Sequence, residues 1–270
     1  MVDLLKAYKF EYERTKKYFG QHFLANKDIV KVIIENCQPT SGDLVIEIGP
    51  GCGVLTLPLL ESGAHVLAVE IDSDLCYFLK KNLFYYPNLE IINKDFLGFK
   101  IENGPVKVVG NLPYNVAARI LLHSIDFRDN IISMVFMFQR EVSDRIMASP
   151  CSKSYSFTSV LSKLYFDIEK IKTISGDNFW PKANVDSTIL KFMPKTKQYI
   201  NEFVGARPKE FMDFVKECFK AKRKTLKNNL KHYTNISDML SEMFSNESIR
   251  AEQLTVNDFV SLFCRVKSLF

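Results

Sequence analysis

The sequence has few of the patterns from which metal centres and disulfide frameworks are built. Its six cysteines form no C-x-x-C pair, and its four histidines show no H-E-x-x-H spacing. These absences argue against a zinc site and against a disulfide scaffold. Hydrophobic runs long enough to cross a bilayer are also missing. The N-terminus mixes acids with lysines, which is typical neither of a secretory signal nor of a transit peptide, so we expect a cytoplasmic protein.

The composition is that of a globular protein with an uneven distribution of charge. The chain has 270 residues, of which 47% are hydrophobic and 25% charged, enough for one large domain and a small one. From Lys195 onward, 14 Lys and Arg stand against 9 Asp and Glu, whereas the first 194 residues carry 22 of each. The whole net charge of +5 therefore lies in the C-terminal quarter. This asymmetry suggests a contact with nucleic acid there.

Strand patterns alternate with helix patterns over the first two thirds of the chain. This alternation predicts an α/β fold whose parallel sheet is covered on both faces. The predicted strands are Leu44–Ile48, His65–Asp72, Leu89–Asn93, Val106–Val109 and Ile131–Phe138, with Asp167–Ile174 and Ser187–Met193 as a closing pair. We expect one domain over residues 1–195, a linker from about Pro194 to Pro208, and helices over residues 205–270.

A glycine-rich turn follows the first of these strands. Gly49-Pro50-Gly51-Cys52-Gly53 joins the strand to a helix, an arrangement that cradles a nucleoside or a phosphate. The spacing is G-x-G-x-G, which does not favour a dinucleotide. Glu70 ends the second strand, where an acid binds ribose hydroxyls, although a solvated loop carboxylate is the alternative. Asp95 follows the third strand and is a candidate acceptor for an adenine amine.

The loop after Val106–Val109 is the second candidate for ligand binding. It reads Gly110-Asn111-Leu112-Pro113-Tyr114-Asn115 and lies at the edge of the sheet where ligands bind. The Asn111 amide and the Pro113 carbonyl are acceptors, and Tyr114 adds a flat ring. Two acceptors beside a ring suit a planar base with an exocyclic amine, such as adenine. An ordinary turn is the alternative, since Asn and Pro are common turn residues.

Two other segments contain aromatic residues near these loops. His22 lies in Tyr18–Leu24, where it is either a ligand contact or a structural residue. Asn26 behind it is a candidate helix cap. Asn178–Pro181 forms an aromatic loop between the closing strands, and this loop is a candidate to face Tyr114.

The C-terminal region contains an amphipathic pattern over Phe211–Lys231. Its periodicity predicts one helix with an apolar stripe for docking and a basic side for phosphates, although a solvated polar face is the default interpretation. The candidate RNA-binding residues are Lys216, Lys220, Arg223, Lys224, Lys227 and Lys231. Glu217 is the one acid among them.

Taken in order, these motifs make the chain resemble a known family along almost its whole length. It resembles the ribosomal RNA small-subunit adenine N6,N6-dimethyltransferases of the KsgA type, which use S-adenosylmethionine. The matching stretches are Phe19–Leu24, Glu47–Gly51, Glu70–Asp72, Gly110–Asn115, Gln139–Val142, Phe179–Ser187 and Ala221–Leu226. His22 stands where some members have Asn, and Trp180 replaces a smaller residue.

The resemblance implies a fold and a site. The fold would be a Rossmann-like methyltransferase sheet with a small C-terminal all-α domain. The implied cofactor site, with Gly51 of the glycine-rich turn, comprises His22, Leu24, Gly49, Glu70, Asp95 and Asn111. The implied catalytic residues are Asn111, Pro113, Tyr114 and Phe179, with the target adenine stacked between the two rings and no metal involved.

The resemblance also implies a substrate. We expect a monomer that methylates adenosines in a hairpin loop of small-subunit rRNA during ribosome biogenesis, with the pre-small ribosomal subunit as partner and without a membrane. One alternative is a large-subunit methyltransferase of the macrolide-resistance type. Another is a non-catalytic RNA-binding assembly factor, which would be expected to have lost Glu70, Asp95 or the Asn111 loop.

Overall fold

The computed structural model describes residues 3–12, 22–205, 207–246 and 248–267. The elements up to the middle of the chain are α1 Leu4–Glu11, β1 Phe23–Leu24, α2 Lys27–Cys37, β2 Leu44–Ile48, α3 Thr56–Glu61, β3 His65–Glu70, α4 Ser73–Leu83, β4 Leu89–Asn93, β5 Val106–Asn111, α5 Ala117–Ser124 and β6 Ile131–Gln139. They are followed by α6 Arg140–Met147, α7 Phe157–Tyr165, β7 Phe166–Ile174, β8 Phe179–Trp180, β9 Ser187–Pro194, α8 Lys197–Val204, α9 Pro208–Cys218, α10 Leu226–Asn229, α11 Ile236–Phe244 and α12 Val256–Lys267.

The main sheet has seven strands in the order β4-β3-β2-β5-β6-β9-β7. The pairs from β4 to β6 are parallel, and β9 runs antiparallel to β6. This confirms the predicted α/β fold, with the closing strands as an antiparallel addition. The chain builds outward from β2 in one direction through β3 and β4, and then returns to the other side of β2 with β5. Such a switch point opens a crevice at the carboxyl ends of the strands.

The continuous apolar strands occupy the middle of the sheet because both of its faces are covered. Val45 in β2 and Val108 and Val109 in β5 are fully buried. A second, two-stranded sheet pairs β1 with β8, so that Phe23 lies opposite Trp180 and Leu24 opposite Phe179. Asn26 caps α2 as predicted, accepting a hydrogen bond from the backbone N–H of Asp28. The β1–β8 pair therefore brings the start of the chain to the loop before β9.

The sequence did not predict α1, because its short apolar face is interrupted by lysines. Leu4, Leu5 and Tyr8 are its buried residues. The Glu11 carboxylate accepts from Lys81 Nζ on α4 at 3.1 and 3.2 Å. A charge contact with α4 and three side chains buried in the hydrophobic core thus hold α1 in place.

The chain divides into two compact units. One runs to Ser143 and resumes over Ile168–Pro194, and the other comprises Asp144–Asp167 and the chain from Lys195 onward. The division predicted from the sequence placed a boundary near residue 195 but did not assign Asp144–Asp167 to the second unit. The first unit contains the sheet, and the second is built mainly of helices.

The predicted linker between Pro194 and Pro208 was wrong, because this segment contains a helix. Thr196 caps α8 by accepting from the backbone N–H of Tyr199 at 3.2 Å. Ile200 and Val204 are buried on its inner side. Two apolar residues four positions apart are enough to dock one face of a short helix.

The single helix predicted over Phe211–Lys231 was also wrong. The structure ends α9 at Cys218, continues through turns, and starts α10 at Leu226. The Asn229 side-chain amide donates to the carbonyl oxygen of Cys218 at 2.8 Å and to that of Ala221 at 3.2 Å. These bonds satisfy carbonyls that a continuous helix would have paired with backbone N–H groups. Lys220, Arg223 and Lys224 therefore lie on a turn rather than on one face of a helix.

Candidate active site

The glycine-rich turn after β2 has a backbone that favours glycine. Gly49 has a φ of +66° and Gly51 a φ of +58°, both in the left-handed region. A Cβ atom added to Gly51 would lie 2.8 Å from the Phe23 ring. The turn therefore excludes side chains and lets a ligand approach the backbone closely.

Glu70 ends β3 directly beside this turn and is 6% exposed. Its Oε2 accepts from the backbone N–H of Gly51 at 3.2 Å, and its Oε1 accepts from that of Asp72 at 2.9 Å. Burial raises the pKa of Glu70, and the two backbone hydrogen bonds oppose that rise. Each oxygen keeps a lone pair, so the carboxylate is held in place and still able to accept from hydroxyl groups.

The Asn111 side chain ends β5, and its orientation is set by one contact. Asn111 Nδ2 donates to the backbone carbonyl of His22 at 2.9 Å. Because the nitrogen is used there, the amide oxygen is the atom available to accept from a ligand. The Pro113 carbonyl accepts from the backbone N–H groups of Val116 and Ala117 at 3.2 and 3.1 Å. The second predicted acceptor is thus already engaged at the start of α5, and Asn111 is the stronger candidate.

The Tyr114 ring is held on two sides. Its hydroxyl lies 3.2 Å from Ser187 Oγ, and its ring lies nearly parallel to that of His22, with 5.6 Å between centroids and 23° between planes. The His22 ring is itself placed by Nδ1, 2.9 Å from the Pro181 carbonyl oxygen. Burial raises the pKa of the Tyr114 hydroxyl. The ring is therefore a fixed, neutral platform near neutral pH.

These residues line one cavity of about 350 Å³ at the carboxyl edge of the sheet. Most of the sequence-predicted site residues lie together in its lining: His22, Leu24, Gly49, Gly51, Glu70, Asp95, Asn111, Pro113 and Tyr114. Asp95 is exposed and uses Oδ1 to accept from the backbone N–H of Leu97 at 2.9 Å, which leaves its other oxygen for a ligand.

Phe179 and Trp180 are not among the residues that line this cavity. Phe179 is 4% exposed and belongs to the apolar core. The Trp180 ring stacks on Phe23 with 6.2 Å between centroids, and Lys9 Nζ lies 4.9 Å from its centroid. The ring that lies beside Tyr114 is that of His22, and the stacking of Phe179 on the base stays a prediction.

Glu47 also lines the cavity, although no role for it was predicted from the sequence. It interrupts the apolar strand β2, is 1% exposed, and its Oε2 has no hydrogen-bond partner within the described ranges. Burial raises the pKa of Glu47 to about 8, and the charge of Glu70 adds to this. A positively charged ligand beside this carboxyl would lower its pKa again, because a nearby positive charge favours the ionised form. The one available signal was a charged residue inside a buried strand.

In the second unit, the six predicted RNA-binding residues are all exposed. Lys216 lies on α9 and pairs with Asp213 at 3.2 Å. The turn after α9 carries Lys220, Arg223 and Lys224, and Lys222 on the same turn donates from Nζ to the Lys153 carbonyl at 2.5 Å. This arrangement gathers cations on a turn with no acid between Lys220 and Lys227.

Two kinds of feature are absent from the described residues. No group of three or more His, Cys, Asp or Glu side chains there is arranged to hold a metal ion. No helix there has both the length and the apolar character to span a bilayer.

The sheet order, the glycine-rich turn and the acid at the end of β3 define a Rossmann-like methyltransferase fold. Comparison with known proteins gives the family. The profile of the ribosomal RNA adenine dimethylase family matches residues 12–268, so the chain belongs to that family. By family it is an rRNA adenine dimethyltransferase. Membership of this methyltransferase family implies that S-adenosylmethionine is the methyl donor.

Individual relatives agree with this assignment. The chain is 36% identical to the ribosomal RNA small subunit methyltransferase A of Chlorobium phaeobacteroides, over 97% of this chain and 98% of that protein. It is 39% identical to the protein of the same name from Francisella tularensis subsp. novicida, over 92% of this chain and 96% of that one.

Among solved structures, a dimethyladenosine transferase from Plasmodium falciparum matches with a TM-score of 0.78 and 26% identity, over 92% of this chain and 98% of that one. The 23S rRNA methyltransferase ErmE matches with a TM-score of 0.69 over 91% of this chain and 99% of that one. At 22% identity, ErmE supports the fold alone.

Proposed function

We propose that this protein dimethylates N6 of adenosines in small-subunit rRNA, with S-adenosylmethionine as methyl donor. The observation that carries the proposal is the Asn111 amide, whose nitrogen donates to the His22 carbonyl and whose oxygen is left to accept in the cavity that Tyr114 also lines. An acceptor next to a flat ring matches an adenine with its exocyclic amine. The names of the relatives at 36% and 39% identity support the small subunit as target.

The cavity fits the cofactor in charge and in shape. Glu70 would hold the ribose hydroxyls, and Asp95 would accept from the adenine amine of the cofactor. The left-handed Gly49 and Gly51 leave room for close approach of the methionine part. The buried carboxyl of Glu47, whose Oε2 has no partner among the described residues, would suit a cationic group after releasing its proton. By the family resemblance, His22 and Leu24 complete this site.

When bound, S-adenosylmethionine supplies an electrophilic methyl group. The work of the protein is to position the amine and to polarise it. Asn111 Oδ1 accepts one amine hydrogen, which draws the nitrogen lone pair out of conjugation with the adenine ring. Because an amide takes up no proton near neutral pH, the released proton goes to water.

Tyr114 would hold the base after it leaves its helical stack. Stacking on an aromatic side chain is worth about 1–3 kcal/mol per base. Phe179 is buried in the core. We therefore assign the stacking to Tyr114, and stacking of the base on Phe179 stays a prediction. Bases in RNA loops can splay out, so a loop adenosine is the expected substrate.

The exposed basic turn of the second unit is the proposed contact for RNA phosphates. Lys220, Arg223 and Lys224 are exposed there without an intervening acid. Phosphate contacts orient a protein on nucleic acid without reading its sequence. We also propose that the enzyme is a monomer, that it is located in the cytoplasm and that it acts on a partly assembled small subunit.

Labelled methyl donor and undermethylated ribosomal subunits test the function. We expect the protein to label small subunits, with the label recovered as N6,N6-dimethyladenosine, and to leave large subunits unlabelled. Asn111→Ala should lower the methylation rate far more than it weakens donor binding, because Asn111 acts mainly on the amine. Labelling of large subunits alone would refute the proposed target. A variant whose rate and donor affinity fell by one common factor would make Asn111 only a cofactor ligand.

A further inference from the structure

The hydroxyl of Ser187 is the polar contact that holds the Tyr114 ring from the sheet. The two oxygens are 3.2 Å apart, and Ser187 is fully buried. Tyr114 lies three residues beyond the end of β5, on a loop, and is half-buried. A loop side chain that lines a cavity has rotamer freedom to lose, and one bond at the tip of its ring fixes the place of that tip and so the direction of the ring axis.

Ser187 itself is rigidly placed. It is the first residue of β9 and pairs with Gln139 in the antiparallel ladder with β6. The backbone N–H of Arg140 donates to the carbonyl of Asp186 at 2.9 Å, and the Arg140 guanidinium lies 3.6 Å from the Asp186 carboxylate. The neighbour of Ser187 is thus fastened by both backbone and side chain. Arg140 and Asp186 belong to two of the stretches that resemble the adenine dimethyltransferase family, and their contact holds the start of β9 in place.

One face of the ring is already covered. His22 lies over it nearly in parallel, and its own position is set by the Pro181 carbonyl. A base must therefore stack on the opposite face of Tyr114. The place of the ring, held at its tip by Ser187, then decides the distance between the amine of that base and the Asn111 oxygen.

We propose that Ser187 is a positioning residue for the target adenine, which it serves by holding the Tyr114 hydroxyl. This inference rests on the proposed function, because it assigns the adenine to the Tyr114 ring. Ser187 touches neither the base nor the donor. Its hydroxyl holds in place the ring against which the base lies.

Ser187→Ala removes the bond, and the neighbouring Thr188→Val is a matched control. Thr188 is also fully buried in β9, and its hydroxyl makes a 3.1 Å contact with that of Thr173. A hydroxyl contact of this kind contributes roughly 0.5–1.5 kcal/mol, so Ser187→Ala should lower kcat/KM for RNA about 2- to 13-fold. Donor affinity by calorimetry should stay unchanged. Thr188→Val should match the wild type in both, and Ser187→Thr should regain most of the rate.

A double-mutant cycle with Tyr114→Phe decides whether the two hydroxyls act through each other. If they do, the double variant should be no slower than the slower single variant. Additive losses would overturn the proposal, as would a wild-type rate in Ser187→Ala or an equal loss in Thr188→Val. Melting temperatures of all variants identify any general loss of folding.

A measurement of stacking separates this inference from the proposed function. A short single-stranded RNA with one 2-aminopurine in place of adenine loses fluorescence when that base stacks on a ring. Ser187→Ala should weaken the apparent affinity measured by this quenching about 2- to 13-fold, on the same free-energy scale. Quenching identical to the wild type would overturn the role of Ser187. A wild-type protein that quenches this RNA but methylates no small subunit would refute the proposed function alone.

Discussion

Replacing Glu70 by alanine tests the cofactor site most directly. The carboxylate is 6% exposed and accepts from two backbone N–H groups, so it is already fixed where ribose hydroxyls would meet it. Hydrogen bonds to a charged group contribute about 1.5–3 kcal/mol. We expect Glu70→Ala to weaken binding of S-adenosylmethionine by that amount, or about 10- to 150-fold in Kd.

The same substitution should also lower the free energy of unfolding. It leaves the backbone N–H groups of Gly51 and Asp72 without their acceptor, at a cost of about 1–3 kcal/mol for each group that stays buried. Calorimetric titration and thermal melting measure the two effects separately. Glu90→Ala is the matched control, because Glu90 is an exposed carboxylate on the neighbouring strand β4. A folded Glu70→Ala variant with the donor affinity of the wild type would refute the ribose role.

Two further predictions concern charge. Changing Arg223, Lys224 and Lys227 together to Gln should weaken RNA binding and lower the slope of log affinity against log salt by about 0.7–0.9 for each lost phosphate contact, with donor affinity unchanged; an unaltered slope would make this turn a merely solvated surface. Burial raises the pKa of Glu47 to about 8 from an ordinary value of 4.5, so the folded state keeps a proton that the unfolded chain has released. The free energy of unfolding should therefore fall by about 1.4 kcal/mol per pH unit as the pH rises between these values. Glu47→Gln should lose this pH dependence in denaturant titrations at pH 5 and 7.5, and equal slopes in the two proteins would contradict the raised pKa.

The sequence predicted most residues of the cavity lining because they follow strand ends. A strand, a glycine-rich turn and an acid at the end of the next strand are local patterns, and parallel strands bring their carboxyl ends to one edge. Gly49, Glu70, Asp95 and Asn111 were found in this way. Glu47 was passed over because its meaning depends on burial, which a single charged residue in a strand does not reveal.

The contacts that orient the His22 and Tyr114 rings in the cavity could not be predicted. The pairs His22–Pro181 and Tyr114–Ser187 join residues far apart in the chain, and they depend on the registers of β1 with β8 and of β6 with β9. Local periodicity also gave a false helix after Cys218. The apolar spacing continues across the break, which Asn229 stabilises from eleven residues further on.

The stacking of Trp180 on Phe23 gives the protein a built-in spectroscopic reporter. Trp180 is the single tryptophan of the chain, and Tyr8 of α1 also meets its ring, with 6.4 Å between centroids. Phe23 is part of the cavity lining. The ultraviolet emission of one indole thus responds both to the docking of the N-terminal helix and to the filling of the cavity next to it. The wild-type chain can be followed in this way without any attached dye.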